Sequence, residues 1–129
     1  MAGKIVADQL EHSTAGSIAT NFVVEGSAKA FGNIESGTTL VESFNESAFT
    51  DNGTGDFTHN FTNNMANKNH VTTGNNMRNS AGGYGHTAAY GNSSDTSSTS
   101  GSARMFYTNV SNNAEDMRRT MAVTHGGLA

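Results

Sequence analysis

The sequence contains no cysteine, no proline and no tryptophan, and its 129 residues include only three leucines and three isoleucines. Without cysteine there is no disulfide framework, no thiolate zinc site and no thiol nucleophile. Without proline there is no polyproline ligand and no collagen-like repeat. Charge is sparse as well: seven Lys and Arg, scattered along the chain, stand against eleven Asp and Glu, a formal net charge of -4. That balance argues against a nucleic-acid platform. The longest apolar run is a few residues, so no segment is expected to span a membrane, and Met1 to Ala15 lacks the basic start and continuous apolar stretch of a secretory signal.

What the chain has instead is Ser (14), Thr (16), Asn (16) and Gly (15), together 61 residues, whereas Leu, Ile, Val and Phe together make only 20. So low an apolar share is half of the signature of disorder, but the other half, a high net charge, is missing. A folded chain of this composition is expected to have a thin core completed by partner chains, with a marginal isolated monomer, because oligomerisation buries apolar area that one small domain cannot. Long helix formers are scarce, no stretch keeps an apolar spacing of three and four, and Thr, Phe and Val outnumber Leu, so strands are expected and helices should be few.

Ile5 to Leu10 alternates weakly and reads as part of an extended arm. Ser13 to Ser17 is a turn-rich break, and Ile18 to Phe31 reads as a second extended segment. Thr38 to Phe49 reads as a strand with Leu40, Glu42, Phe44 and Glu46 on one face. The sharpest local signal follows, Asp51-Asn52-Gly53-Thr54-Gly55-Asp56, leading into Phe57-Thr58-His59-Asn60-Phe61-Thr62. Asn52-Gly53 between two strand-like runs predicts a type I′ hairpin turn with a bulge at Gly55, in a hairpin of about residues 44 to 62. On its second strand Phe57, His59 and Phe61 share one face and Thr58, Asn60 and Thr62 the other, the pattern of a sheet with one buried side. Further strands are expected near His70 to Thr73, Gly85 to Tyr90, Ser102 to Val110 and Met117 to His125, with Asn92 to Ser102 as a mobile surface loop. Several short strands separated by turns predict an all-β fold, a small antiparallel β-sandwich or jelly-roll-like domain over residues 25–129, preceded by an extended N-terminal arm over residues 1–24.

The runs Gly26-Ser27-Ala28-Lys29-Ala30-Phe31, Ser43-Phe44-Asn45, Thr50-Asp51-Asn52-Gly53-Thr54-Gly55-Asp56-Phe57-Thr58 and Asn60-Phe61-Thr62 resemble, at their spacing, a module common in virion structural proteins of tailed bacteriophages. Gln9 to Ser17 resembles the lead-in of that family, and the likeness extends from about residue 9 to the C-terminus, weakest between residues 75 and 101. The resemblance implies a non-enzymatic, all-β structural role on a phage particle, as a homo-oligomer. Phe31 stands where the family usually has Trp, Glu46 and His59 where apolar strand residues are expected, and His70 where an aromatic is expected. If Asn52-Gly53 is the turn, Glu46 and His59 lie on neighbouring or diagonal positions of one face. They are expected to pair where that face meets another subunit or the particle; the plainer alternative is a wet face carrying two unrelated polar residues.

Motifs for chemistry are weak. His12, His59, His70, His86 and His125 form no closely spaced pair, so no metal site is expected, although a threefold axis could gather one imidazole per chain. Asp51, Asn52 and Asp56 lack the acidic spacing and distant glutamate of a calcium loop. There is no Gly-x-Ser-x-Gly elbow, and Gly82-Gly83-Tyr84-Gly85 lacks the Lys-Ser/Thr of a phosphate cradle. Neither catalytic residues nor a cofactor are expected. In the last strand, Met117, Arg119, Met121, Val123 and His125 share a face, and Arg119 within that stripe suggests an ion pair at an interface or a charge guarding an edge strand.

Taken together, these features lead us to expect a homotrimeric decoration or cement protein on the capsid of a phage, made in the host cytoplasm and located on the virion surface. It would bind the major capsid protein or tail proteins, without nucleic acid or membrane, and no long coiled-coil or β-helical shaft marks it as a full fibre. Contacts are expected from Ile5, Val6, Leu10, Phe22, Glu46, His59 and Arg119. The alternative is a tail-fibre module that binds host glycan through Tyr84 and Tyr90.

Overall fold

A computed structural model describes residues 3, 5–35, 39–77, 89, 90, 98–109, 111 and 113–129. The strands are β1 (Gln9–His12), β2 (Gly16–Ala19), β3 (Ala28–Glu35), β4 (Thr39–Phe44), β5 (Glu46–Gly53), β6 (Asp56–Phe61), β7 (Val71–Met77), β8 (Ala89–Tyr90), β9 (Ser102–Phe106) and β10 (Arg119–His125), with one helix, α1 (Thr20–Gly26). Two four-stranded antiparallel sheets, ordered β4-β3-β10-β7 and β5-β6-β9-β8, form the expected sandwich, and β1 and β2 make a separate hairpin. The first and last strands of the sandwich, β3 and β10, are central neighbours in register from Arg119 opposite Glu35 to Thr124 opposite Ala30. Their pairing closes the domain on itself.

The large core residues come mostly from the second sheet. Phe57, His59 and Phe61 of β6 and Ala103 and Met105 of β9 point inward, with Tyr107 just beyond, all of them buried. The first sheet answers with small side chains: Ala30, Thr120, Ala122, Thr124 and Thr72 line its inner face, and Ile34 is the large exception. Two hydroxyls in this layer satisfy one another, Thr72 Oγ1 and Thr124 Oγ1 lying 2.8 Å apart. Large side chains on one sheet thus face small ones on the other, in a chain poor in Leu and Ile. The chain has a buried core of its own, with Phe57, Phe61, Met65, Met105 and Tyr107 its large members.

That arrangement changes the reading of β10. Its apolar stripe, Met121 and Val123 with Arg119, faces outward, and the Thr-Ala-Thr face is the buried one.

Three expected elements are corrected. Thr38 to Phe49 is not one strand, because Asn45 takes a positive φ of 55° and turns the chain from one sheet into the other. Its side chain holds the corner, Nδ2 donating to Lys29 O and Asn63 O while Oδ1 accepts from Asn63 N at 2.7 Å. The hairpin of β5 and β6 forms, but its tip is Thr54-Gly55, with Gly53 opposite Asp56, and the register slips between Asp51 and Gly53. Turn and bulge have exchanged places because Asp51 Oδ1 accepts Gly53 N at 2.9 Å and fixes the bend early.

The arm is the third correction. Residues 9–26 are a hairpin followed by a short helix, not an extended strand. Phe22-Val23-Val24 is poor helix sequence, and the helix owes its form to caps from elsewhere. Thr20 N donates to Asp8 O at 2.9 Å and Thr20 Oγ1 to Ala7 O at 2.7 Å at its start; Lys29 Nζ donates to Val24 O and Ser27 O at its end. A cation on the last carbonyls also suits the helix dipole.

Of the later strands, β7, β9 and β10 lie within a few residues of their expected places. Most of the Gly85 to Tyr90 and Asn92 to Ser102 segments lies outside the described residues.

Candidate functional site

The most unusual local chemistry is inside the sandwich. Glu46 and His59 meet there, His59 Nδ1 lying 3.0 Å from Glu46 Oε1 and 3.1 Å from Oε2, with side-chain exposures of 1% and 0%. A carboxylate can only accept, so Nδ1 carries the proton. His59 pairs across the strands with Phe49, and Glu46 with Phe61, so the contact is diagonal and bridges a register slip after Glu46. Phe49 meets the imidazole edge-on at 4.9 Å. From the opposite sheet Gly32 comes so close that a Cβ there would overlap the Glu46 carboxylate. Both residues are thus enclosed by their own chain, which corrects their assignment to a subunit interface.

Among the described residues His59 Nε2 has no hydrogen-bond partner, and Tyr107 Oη and Thr120 Oγ1 are buried without a well-formed bond. Burial pushes the Tyr107 phenol far above its ordinary range; the neighbouring Thr120 hydroxyl opposes this and the Glu46 charge adds to it. Since that hydroxyl is desolvated with little return, Tyr107→Phe should change stability by no more than about 1 kcal/mol, and toward greater stability. Denaturant melts of the two proteins check this, and a loss of more than about 2 kcal/mol would mean that the phenol makes a strong bond.

Near the hairpin tip, Arg104 grips Asp56 with Nε 2.8 Å from Oδ1 and a terminal nitrogen on Oδ2. The hydrogen bond from Arg104, with its charge and Asn52 helping against burial, holds the Asp56 carboxyl below its ordinary value of 3.8. A depressed acid contributes stability that is complete above its unfolded pKa and lost as pH falls through the folded one. Urea midpoints at pH 6 and pH 3 should therefore fall further apart for the native chain than for Asp56→Asn. Equal falls would show that the pair does not contribute.

The other expected positions are dispersed. Arg119 pairs with Glu35 of its own chain at 3.2 Å on the outer sheet face. Tyr84 lies outside the described residues, and Tyr90 is placed only by its backbone, opposite Met105. His70 Nε2 donates to Thr99 O at 3.0 Å and its ring packs edge-on against Phe61. Among the described residues no three His, Asp or Glu side chains gather in a metal-binding group, and no helix is long and apolar enough to cross a membrane.

Ile5, Val6, Leu10 and Phe22, expected as contacts, do lie on the exposed N-terminal unit, but the groove that the first three share with α1 was not expected. Ile5, Val6, Ala7, Leu10, Thr20, Val23 and Val24 line a groove of about 460 Å³ between the arm, the hairpin and α1. No residue of β1 or α1 is buried, and Ile5, Val6 and Phe22 are 89%, 82% and 65% exposed. Weak alternation in a polar sequence was the only signal for this patch. No protein-family model, curated protein or solved structure matches the chain.

Proposed function

We propose that the chain is a non-enzymatic structural protein of a tailed-phage particle, acting as a homo-oligomeric decoration protein on the capsid surface. The observation that carries the reading is the apolar N-terminal unit, exposed beside a sandwich that has a buried core of its own. Soluble monomers rarely leave so much contiguous apolar surface open, whereas assembly modules do. The quoted sequence runs supply the phage context. In this role the sandwich is a rigid, hydroxyl- and amide-rich body, and the N-terminal unit joins it to neighbouring chains, clamping subunits by many modest contacts.

Counting copies on purified particles tests the reading. Hundreds of copies per particle are expected for decoration; a few copies travelling with tails would move the protein to a fibre, and glycan turnover by the isolated chain would make it an enzyme. Removing residues 1–26 leaves every sandwich strand in place and should give a folded protein that no longer attaches.

A further inference from the structure

Two apolar surfaces have no covering partner among the described residues. On the N-terminal unit, Leu10 and Val23 join Ile5, Val6 and Val24 around the groove, with Phe22 beside it. Taking roughly 150–200 Å² for a fully exposed residue of this size, these six side chains present on the order of 700 Å², close to one partner's share of a standard interface, ~800 Å². The second surface is the outer face of the β4-β3-β10-β7 sheet. Register sets Phe44, Phe31 and Val123 in one row across three strands, the two rings stacked at 6.1 Å. Val71 and Met77 continue that face on β7, 61% and 49% exposed.

We propose that the N-terminal unit of one copy docks on the outer β4-β3-β10-β7 face of a second copy, and that the contact repeats around a closed ring. The proposal rests on the homo-oligomer reading above and names its two surfaces. Geometry favours reaching outward. The unit is anchored at the C-terminal end of its helix, where Lys29 Nζ holds Val24 O and Ser27 O and His125 Nδ1 meets Gly26 O at 3.2 Å. These anchors lie at one end of β3 and β10, while the hairpin and Ile5-Val6 stay exposed. Charge selects the sheet over a second N-terminal unit. Residues 3–26 carry Asp8, Glu11 and Glu25 against Lys4 alone, so two units face to face would bring a net excess of acidic charge together. The outer sheet and its rim instead balance Arg118 and Arg119 against Glu35 and Glu42. A contact between two different surfaces is heterologous, and it closes into a ring when the rotation allows.

The absence of native cysteine gives a clean test. Full-length Val24→Cys and Val71→Cys proteins, each substituted at an exposed position, are purified, mixed, and treated with a short bis-maleimide linker. Val24-to-Val71 products between chains should exceed either self-linked product several-fold, and sedimentation of the unmodified chain should give a closed multiple of its mass. Predominant Val24-to-Val24 linkage, or a single-chain mass with no mixed product, overturns the proposal. Because these readouts use purified protein, their failure is distinguishable from failure of the virion reading, which the particle copy number decides.

Discussion

His59→Ala should remove about 3–5 kcal/mol of stability, because it strands a carboxylate that the fold has taken out of water. Glu46 is enclosed by β6 on one side and the Gly32 backbone on the other, with 1% of its side chain exposed. No other donor can reach the carboxylate in place of the lost imidazole without opening the sandwich. For a small domain whose total stability is on the order of 5–15 kcal/mol, that loss is a large fraction of the whole. Thermal melts should show it directly, and Glu46→Ala should cost a comparable amount. The double variant Glu46→Met/His59→Leu should return to within about 1–2 kcal/mol of the native chain, since an apolar pair of similar volume removes both buried polar groups together and leaves neither without its partner. If each single variant costs less than about 1 kcal/mol, the contact between β5 and β6 contributes little. If the double variant is as unstable as the singles, the site needs its polarity for more than mutual compensation.

The pair was legible in the sequence as a pair, since period-two alternation on β6 and the Asn-Gly signal brought Glu46 and His59 to nearby positions of one face. Its location was not legible. Reading Thr38 to Phe49 as one strand put Glu46 on a face with Leu40 and Phe44, and only the corner at Asn45 sends Glu46 inward while Phe44 stays outside. Asn45 is one of 16 asparagines, and its bonds to Lys29 and Asn63 are contacts at a sequence distance that no local pattern records.

The strands themselves were easier. β6 and β9 bury alternate residues as their apolar spacing predicts. β10 shows the limit of that rule, because hydrophobicity ranks Met121 and Val123 above Thr120 and Thr124, yet the latter are 3% and 1% exposed. The deciding variable is size. A layer already supplied with Phe57, Phe61, Met105 and Tyr107 has room only for small groups opposite, and paired hydroxyls are tolerated there. Displaced outward, the larger residues of β10 join Phe31 and Phe44 on the surface assigned above to a second copy. Helix α1 escaped notice for a related reason: the groups that meet its end N–H and C=O, Asp8 O and Lys29 Nζ, lie outside the segment whose propensity reads as strand.

Gly55→Ala should be the most damaging single-methyl change at the hairpin, costing about 3 kcal/mol where the same change at Gly53 costs about 1–2. Both glycines have positive φ, 69° at Gly55 and 135° at Gly53, so each replacement strains the backbone. Only Gly55 is also pressed against the rest of the protein. A Cβ there would run into Tyr107 O and the Glu115 backbone nitrogen, whereas at Gly53 nothing lies within 4 Å. The close approach lets the tip clamp the segment between β9 and β10: Gly55 N donates to Asp116 Oδ1 at 2.8 Å, and Gly55 O accepts from Tyr107 N at 2.7 Å. Pushing the tip away sacrifices both bonds and loosens Tyr107, which packs against Phe57 in the core. Denaturant midpoints for the two alanine variants, compared at unchanged slope, measure the difference; equal costs would mean that the tip is free of the β9–β10 segment and that strain alone is being read.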